Sequence, residues 1–129
     1  MKSEKKALII TDSGESLDST AQSIKKSLKN YTVKICSAGD FDGKDLLPAK
    51  IFFLACGSPK PSSFSYLEEM LSHINLVSRK CGIFSSNKKS LDYLKSILKD
   101  SEADLGEPLL LNGKTDNKAI EKWLKGITG

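Results

Sequence analysis

The sequence has three cysteines, one histidine, one arginine and no long apolar run, and each shortage removes a class of function. Cys36, Cys56 and Cys81 are widely spaced and form no C-x-x-C pair. An odd count at such spacing supports neither a disulfide framework nor a zinc site. Each cysteine lies in or beside an apolar segment and reads as a small buried hydrophobe rather than a reactive thiol. His73 falls on a helical pattern beside Ile74, remote from the strand-end loops. No serine or cysteine has an evident base to activate it, so nucleophilic catalysis lacks its parts. Glu68 and Glu69 are adjacent on a helical pattern and do not share a face as a carboxylate pair would. The net charge is only +4, and the lysines are scattered rather than gathered in a basic patch with aromatics. Nucleic acid is therefore not an expected partner. No apolar run approaches the ~20 residues of a membrane span. Met1–Lys6 is basic, but only Ala7–Ile10 follows as an apolar stretch, too little for a signal peptide. The expected location is the cytoplasm.

What the sequence does have is order. Its 129 residues suit one domain, 1–129, and no linker or internal repeat divides them. Short apolar runs alternate with longer helical patterns. Ala7-Leu8-Ile9-Ile10 reads as a strand buried on both faces. Leu17, Ala21, Ile24 and Leu28 then mark one face of a helix. Tyr31–Cys36 alternates as a more peripheral strand does, and Ile51–Cys56 is the strongest strand signal. Leu67, Met70, Leu71 and Ile74 form the next helical stripe. Cys81–Phe84 predicts a fourth strand, followed by a helix carrying Leu91, Leu94, Ile97 and Leu98. Leu109-Leu110-Leu111 predicts a fifth strand, and Ala119, Ile120, Trp123, Leu124 and Ile127 a closing helix. Ser37–Lys50, with Gly39, Gly43 and Pro48, has room only for a short or irregular helix. Five strands alternating with helices imply a parallel sheet covered on both faces.

In such sheets ligands bind beyond the carboxyl ends of the strands, where the strand order reverses. Three loops qualify: Thr11-Asp12-Ser13-Gly14-Glu15-Ser16, then the segment from Gly57 to Phe64, then Ser85-Ser86-Asn87. The first places three hydroxyl residues and a glycine directly before a helix. Free N–H groups at a helix start and nearby hydroxyls suit a phosphate, and Gly14 lets the backbone approach an anion closely. Ser13 or Ser16 acting only as a helix cap explains the same residues.

The loop Thr11–Ser16 resembles the [Ser/Thr]-x-[Ser/Thr]-Gly-x-[Ser/Thr] phosphate loop of the flavodoxins. Ala55-Cys56-Gly57-Ser58-Pro59 is similar to the family's third strand and turn, and the helix with Trp123 to its last helix. The resemblance runs nearly the whole chain in order and spacing. It implies a flavodoxin-like, doubly wound α/β domain with a five-stranded parallel sheet in the order 2-1-3-4-5. It also implies an FMN cofactor, electron transfer and a redox partner protein, with no catalytic side chain and no metal. The implied phosphate contacts are Thr11, Ser13, Gly14 and Ser16, and Asp12 and Glu15 complete the implied cofactor-binding loop. Ser58, Pro59 and Lys60 would flank the flavin ring on one side, and Ser85, Ser86 and Asn87 on the other.

The sequence departs from that family's pattern in several places. Glu15 puts a carboxylate in the phosphate loop; at about 6 Å and an effective dielectric near 20 this repels each unit of negative charge by roughly 3 kcal/mol, before solvent screening. Phe64 is the only aromatic residue of the second loop, and the third has none. Pro59 and Pro61 restrict a loop in which the family uses a pliable glycine peptide. The chain is mildly basic, where typical members are acidic. An alternative expectation is thus a flavodoxin-fold protein that has lost FMN and works through protein contacts. A receiver domain of the same fold is disfavoured, because the third strand ends in Cys56-Gly57 rather than in an aspartate.

Overall fold

The computed structural model describes residues 5–12, 15–46, 48–58, 61–111 and 116–128, with Glu15 and Ser16 described by backbone alone. Its strands are β1 (Lys5–Thr11), β2 (Tyr31–Ser37), β3 (Ala49–Ala55), β4 (Lys80–Ser85), β5 (Asp104–Leu105) and β6 (Leu109–Leu110). The helices are α1 (Glu15–Ser27), α2 (Gly43–Leu46), α3 (Ser65–Leu71), α4 (Lys88–Leu98) and α5 (Asn117–Thr128). The strands run parallel in the order β2-β1-β3-β4-β5, with β6 also on β4. The doubly wound order 2-1-3-4-5 is therefore the observed topology.

Alternation along the central strands divides the core in two, because successive side chains point to opposite faces. Leu8, Ile10, Phe52, Leu54 and Ile83 pack against Leu67 of α3 and Leu91 and Leu94 of α4. Ile9, Ile51, Phe53 and Phe84 face the other way, onto Leu17, Ala21 and Ile24 of α1 and Ile120, Leu124 and Ile127 of α5. Each such side chain contributes about 1.5–3 kcal/mol on leaving water. This two-sided burial is why β1, β3 and β4 read as unbroken apolar runs. Helix α5 sits hard on the sheet: a Cβ on Gly82 would lie 2.8 Å from both Ile127 Cδ1 and Phe53 Cδ2.

The outer position of the sheet differs from the expectation of one strand at Leu109–Leu111. Two short strands share it: β5 pairs Lys80 and Cys81, and β6 pairs Phe84 and Ser85. Gly106, Glu107 and Pro108 separate them. Pro108 has no N–H to give a ladder. Leu111 lies beyond β6 yet still donates its N–H to the Ser85 carbonyl at 2.7 Å. The Trp123 indole N–H donates to the Glu107 carbonyl at 2.6 Å, pinning the interruption to α5. Two residues containing an aspartate carry no strand periodicity, so β5 is invisible in the sequence.

Segment 37–50 is irregular as expected, with a 3-10 turn at Ala38–Asp40 and the single-turn α2. Asp45 of α2 pairs with Lys34 of β2 at 2.6 Å, and that hydrogen bond raises the lysine pKa. Helix α3 stops at Leu71, short of Ile74: Ser72 Oγ donates to the Glu69 carbonyl, and the His73 N–H bonds three residues back to Met70. His73 is exposed in the turn that follows. Cys56 and Cys81 are buried and Cys36 is half-buried; all three are free thiols. No helix among the described residues is long and apolar enough to cross a membrane.

Candidate functional site at the carboxyl edge

Strand β1 delivers Thr11, which is buried, and then Asp12, which is half-buried, to the carboxyl edge of the sheet. Ser13 and Gly14, and the side chains of Glu15 and Ser16, lie outside the described residues. Beside β1, strand β3 ends at Ala55 and delivers the buried Cys56 and the exposed Gly57 and Ser58. Pro59 and Lys60 also lie outside the described residues. Next, β4 delivers the buried Ser85, the exposed Ser86 and the half-buried Asn87 directly into α4.

Two hydrogen bonds tie the three loops together. Asp12 Oδ2 accepts the Gly57 N–H at 2.7 Å, joining the first loop to the second. Ser85 Oγ donates to the Cys56 carbonyl at 2.6 Å, joining the third to the second, and accepts the Asn87 N–H at 3.1 Å. Bonds to a charged acceptor are the stronger kind, so the Asp12 link is worth roughly 1.5–3 kcal/mol where it is sheltered. The consequence for chemistry is direct. Asp12 occupies the Gly57 N–H, a backbone donor at this edge of the sheet.

The remaining residues divide by what they touch. Asn87 caps α4, its side-chain oxygen accepting the Lys89 N–H at 2.8 Å. Ser85 serves the inter-loop link. Ser58 and Ser86 are exposed. Phe64 faces the core, fully buried, with its ring 6.2 Å from that of Tyr93. The second and third loops thus offer no exposed aromatic face. Tyr93 in turn donates its hydroxyl to Glu68 Oε2 at 2.9 Å; burial foremost, and then that carboxylate, push its pKa up. Burial, reinforced by the Asp12 carboxylate, pushes the Cys56 thiol up to about 11, so it is protonated and inert at neutral pH. No group of three His, Cys, Asp or Glu side chains among the described residues is placed to hold a metal.

Sequence reasoning missed Gly57 N–H and the Cys56 carbonyl as the points to which the neighbouring loops attach. Backbone groups leave no residue-type signal, and only the side chains that seek them, Asp12 and Ser85, were visible.

Several solved structures with this arrangement of strands are flavodoxins. A short-chain flavodoxin associated with a bacterial microcompartment superimposes with a TM-score of 0.82 over 98% of this chain and 97% of its own, at 16% identity. The fold is the flavodoxin fold. The flavodoxin of Streptococcus pneumonia TIGR4 gives 0.80 over 95% of this chain and 97% of its own, also at 16% identity. Oxidised flavodoxin 2 from Bacillus cereus gives 0.75 over 94% and 96%, again at 16%. No family model matches the sequence, and no curated protein matches it. The chain shares this fold over nearly its whole length at 16% identity.

Proposed function

We propose that this domain binds FMN at the carboxyl edge and carries electrons for a redox partner protein in the cytoplasm. The observation that supports it best is the meeting of three loops at the β1/β3 reversal, with the hydroxyl-rich segment 11–16 leading into α1. Hydroxyl donors and a helix N-terminus fit a phosphate, so Thr11, Ser13, Gly14 and Ser16 are the residues assigned to that end of the cofactor. Ser58, Pro59, Lys60, Ser85, Ser86 and Asn87 are the residues assigned to the ring end. Bound FMN supplies one-electron chemistry that no side chain here provides.

The fit is uneven. The phosphate end has the donors, but the ring end has no aromatic partner, because Phe64 is buried. A missing aromatic contact forfeits about 0.5–1.5 kcal/mol beyond its area term, which is up to roughly tenfold in affinity for each contact. Weak, exchangeable FMN binding is the expected behaviour. The test is titration of FMN fluorescence against apo-protein. Saturable quenching, with one flavin per chain, supports the proposal; no quenching at protein concentrations of hundreds of micromolar overturns it.

A second reading is favoured by the Asp12–Gly57 bond and by the buried Phe64. In it the loops are closed on one another and the domain acts through protein contacts alone. FMN retained through purification at one per chain excludes that reading.

A further inference from the structure

A cleft of about 430 Å³ opens between α1 and α5, on the helical face and away from the carboxyl edge. Its size is that of a small-ligand site. Lys26, Lys29 and Lys125 line it, and Glu121 is its single carboxylate. The three lysines are exposed, and the only ion pair among the described residues is Lys34–Asp45, so no carboxylate neutralises them at contact distance. Ser23, Ser27, Asn117 and Thr128 complete the walls; Ser23 Oγ donates to Asn117 Oδ1 at 3.1 Å and Thr128 Oγ1 to the Leu124 carbonyl at 3.0 Å. The floor is apolar, from Leu28 and Leu124.

Helix dipoles explain part of this arrangement. Lys26 and Lys125 lie in the last turns of α1 and α5, where cations are favoured by about 0.3–1 kcal/mol. The dipoles do not explain why both helices direct these ends into one cleft, nor why Lys29, past the end of α1, joins them. Gathering like charges is unfavourable unless something anionic shares the space.

We infer that the α1–α5 cleft is a second binding site, specific for small phosphate-bearing anions. Two or three ammonium groups meet a phosphate's charge, and the Ser27 hydroxyl and the Asn117 amide N–H supply hydrogen bonds. The site is independent of the carboxyl-edge reading, since it shares no residue with it.

The experiment is a titration of the full chain with inorganic pyrophosphate, followed residue by residue in amide NMR spectra. The expected result is saturable shifts at Ser23, Ser27, Asn117 and Thr128 at submillimolar concentration, weakening as salt rises. The double variant Lys26→Gln/Lys125→Gln should lose at least tenfold in affinity while its remaining spectrum stays folded. Shifts confined to residues 11–16 would assign the anion to the carboxyl edge alone and overturn this inference. So would uniform, non-saturating shifts at every lysine, or a double variant that binds as the parent does. Saturable shifts in the cleft, with or without shifts at 11–16, support the inference.

Discussion

Asp12 is the residue whose change should be felt most in binding. Its carboxylate holds the Gly57 N–H at the mouth where an anion would approach. Asp12→Asn keeps an acceptor for that N–H and removes the charge. FMN affinity is expected to rise by roughly tenfold, equivalent to about 1.4 kcal/mol, as read by fluorescence quenching. A fall in affinity would mean that the carboxylate itself helps to hold the ligand. The buried thiols act on stability instead. Burial raises the pKa of Cys81 well above its ordinary value of 9.0 and that of Cys56 to about 11. A folded-state pKa above the unfolded one gives stability that is complete below the unfolded value and lost as pH climbs past it. The urea midpoint should therefore fall between about pH 9 and 11, and more gently in Cys81→Ala once its lower starting stability is subtracted. At this scale the sequence was only half legible. The apolar destinations of Leu17, Ile24 and Leu94 follow from spacing, and so does the burial of Cys56 and Cys81. The inward turn of Phe64 does not, because a lone aromatic in a Pro-restricted loop has no periodicity to give its direction away.

Elements are fixed by caps and by close seating, and both can be tested. Asn87 accepts the Lys89 N–H and starts α4 immediately after β4. Removing it in Asn87→Ala should cost about 1 kcal/mol, seen as a lower urea midpoint with an unchanged slope. Gly82 lies where Ile127 and Phe53 leave no space for a methyl group. Gly82→Ala forces α5 outward or Phe53 off its rotamer, and overpacking of that kind costs about 1–3 kcal/mol. Pairing it with Ile127→Val should recover part of the loss, which a purely conformational effect at Gly82 would not allow. Most element positions were legible because two-sided burial gives β1, β3 and β4 unbroken apolar runs and gives α1, α4 and α5 clean stripes. The exceptions have physical reasons. Helix α3 ends early at the Ser72 hydroxyl bond, leaving Ile74 outside it, and Ala119 of the expected α5 stripe is exposed, the helix burying Ile120, Leu124 and Ile127 instead. Strand β5 is held by its pairing with Lys80 and Cys81 rather than by any pattern of its own.

For the whole molecule, ligand binding and folding are one equilibrium. A ligand that binds only the folded chain raises its stability by about 2.7 kcal/mol at one hundred times its dissociation constant. Saturating FMN should therefore shift the melting temperature upward, and riboflavin, which lacks the phosphate, should shift it much less. Equal shifts would show that the ring, not segment 11–16, supplies the binding energy. The topology was legible because parallel strands with helical crossovers leave few alternatives. The meeting of the three loops beyond β1, β3 and β4 was legible for the same reason. The backbone donors there, and the side chains that turn inward, were not, since neither leaves a periodic signal.

The division of the outer strand at Pro108 has a consequence for how copies of the chain meet. A continuous sheet margin is a template on which another molecule can add a strand. On the β5/β6 side that template is broken into pieces of two residues each, too short to nucleate such growth. The opposite margin, β2, runs unbroken for seven residues and is rich in β-branched side chains. It carries one charged residue, Lys34, which pairs with Asp45. Protection against aggregation is thus covalent in origin on one flank and electrostatic on the other, and only the second can be screened away by salt.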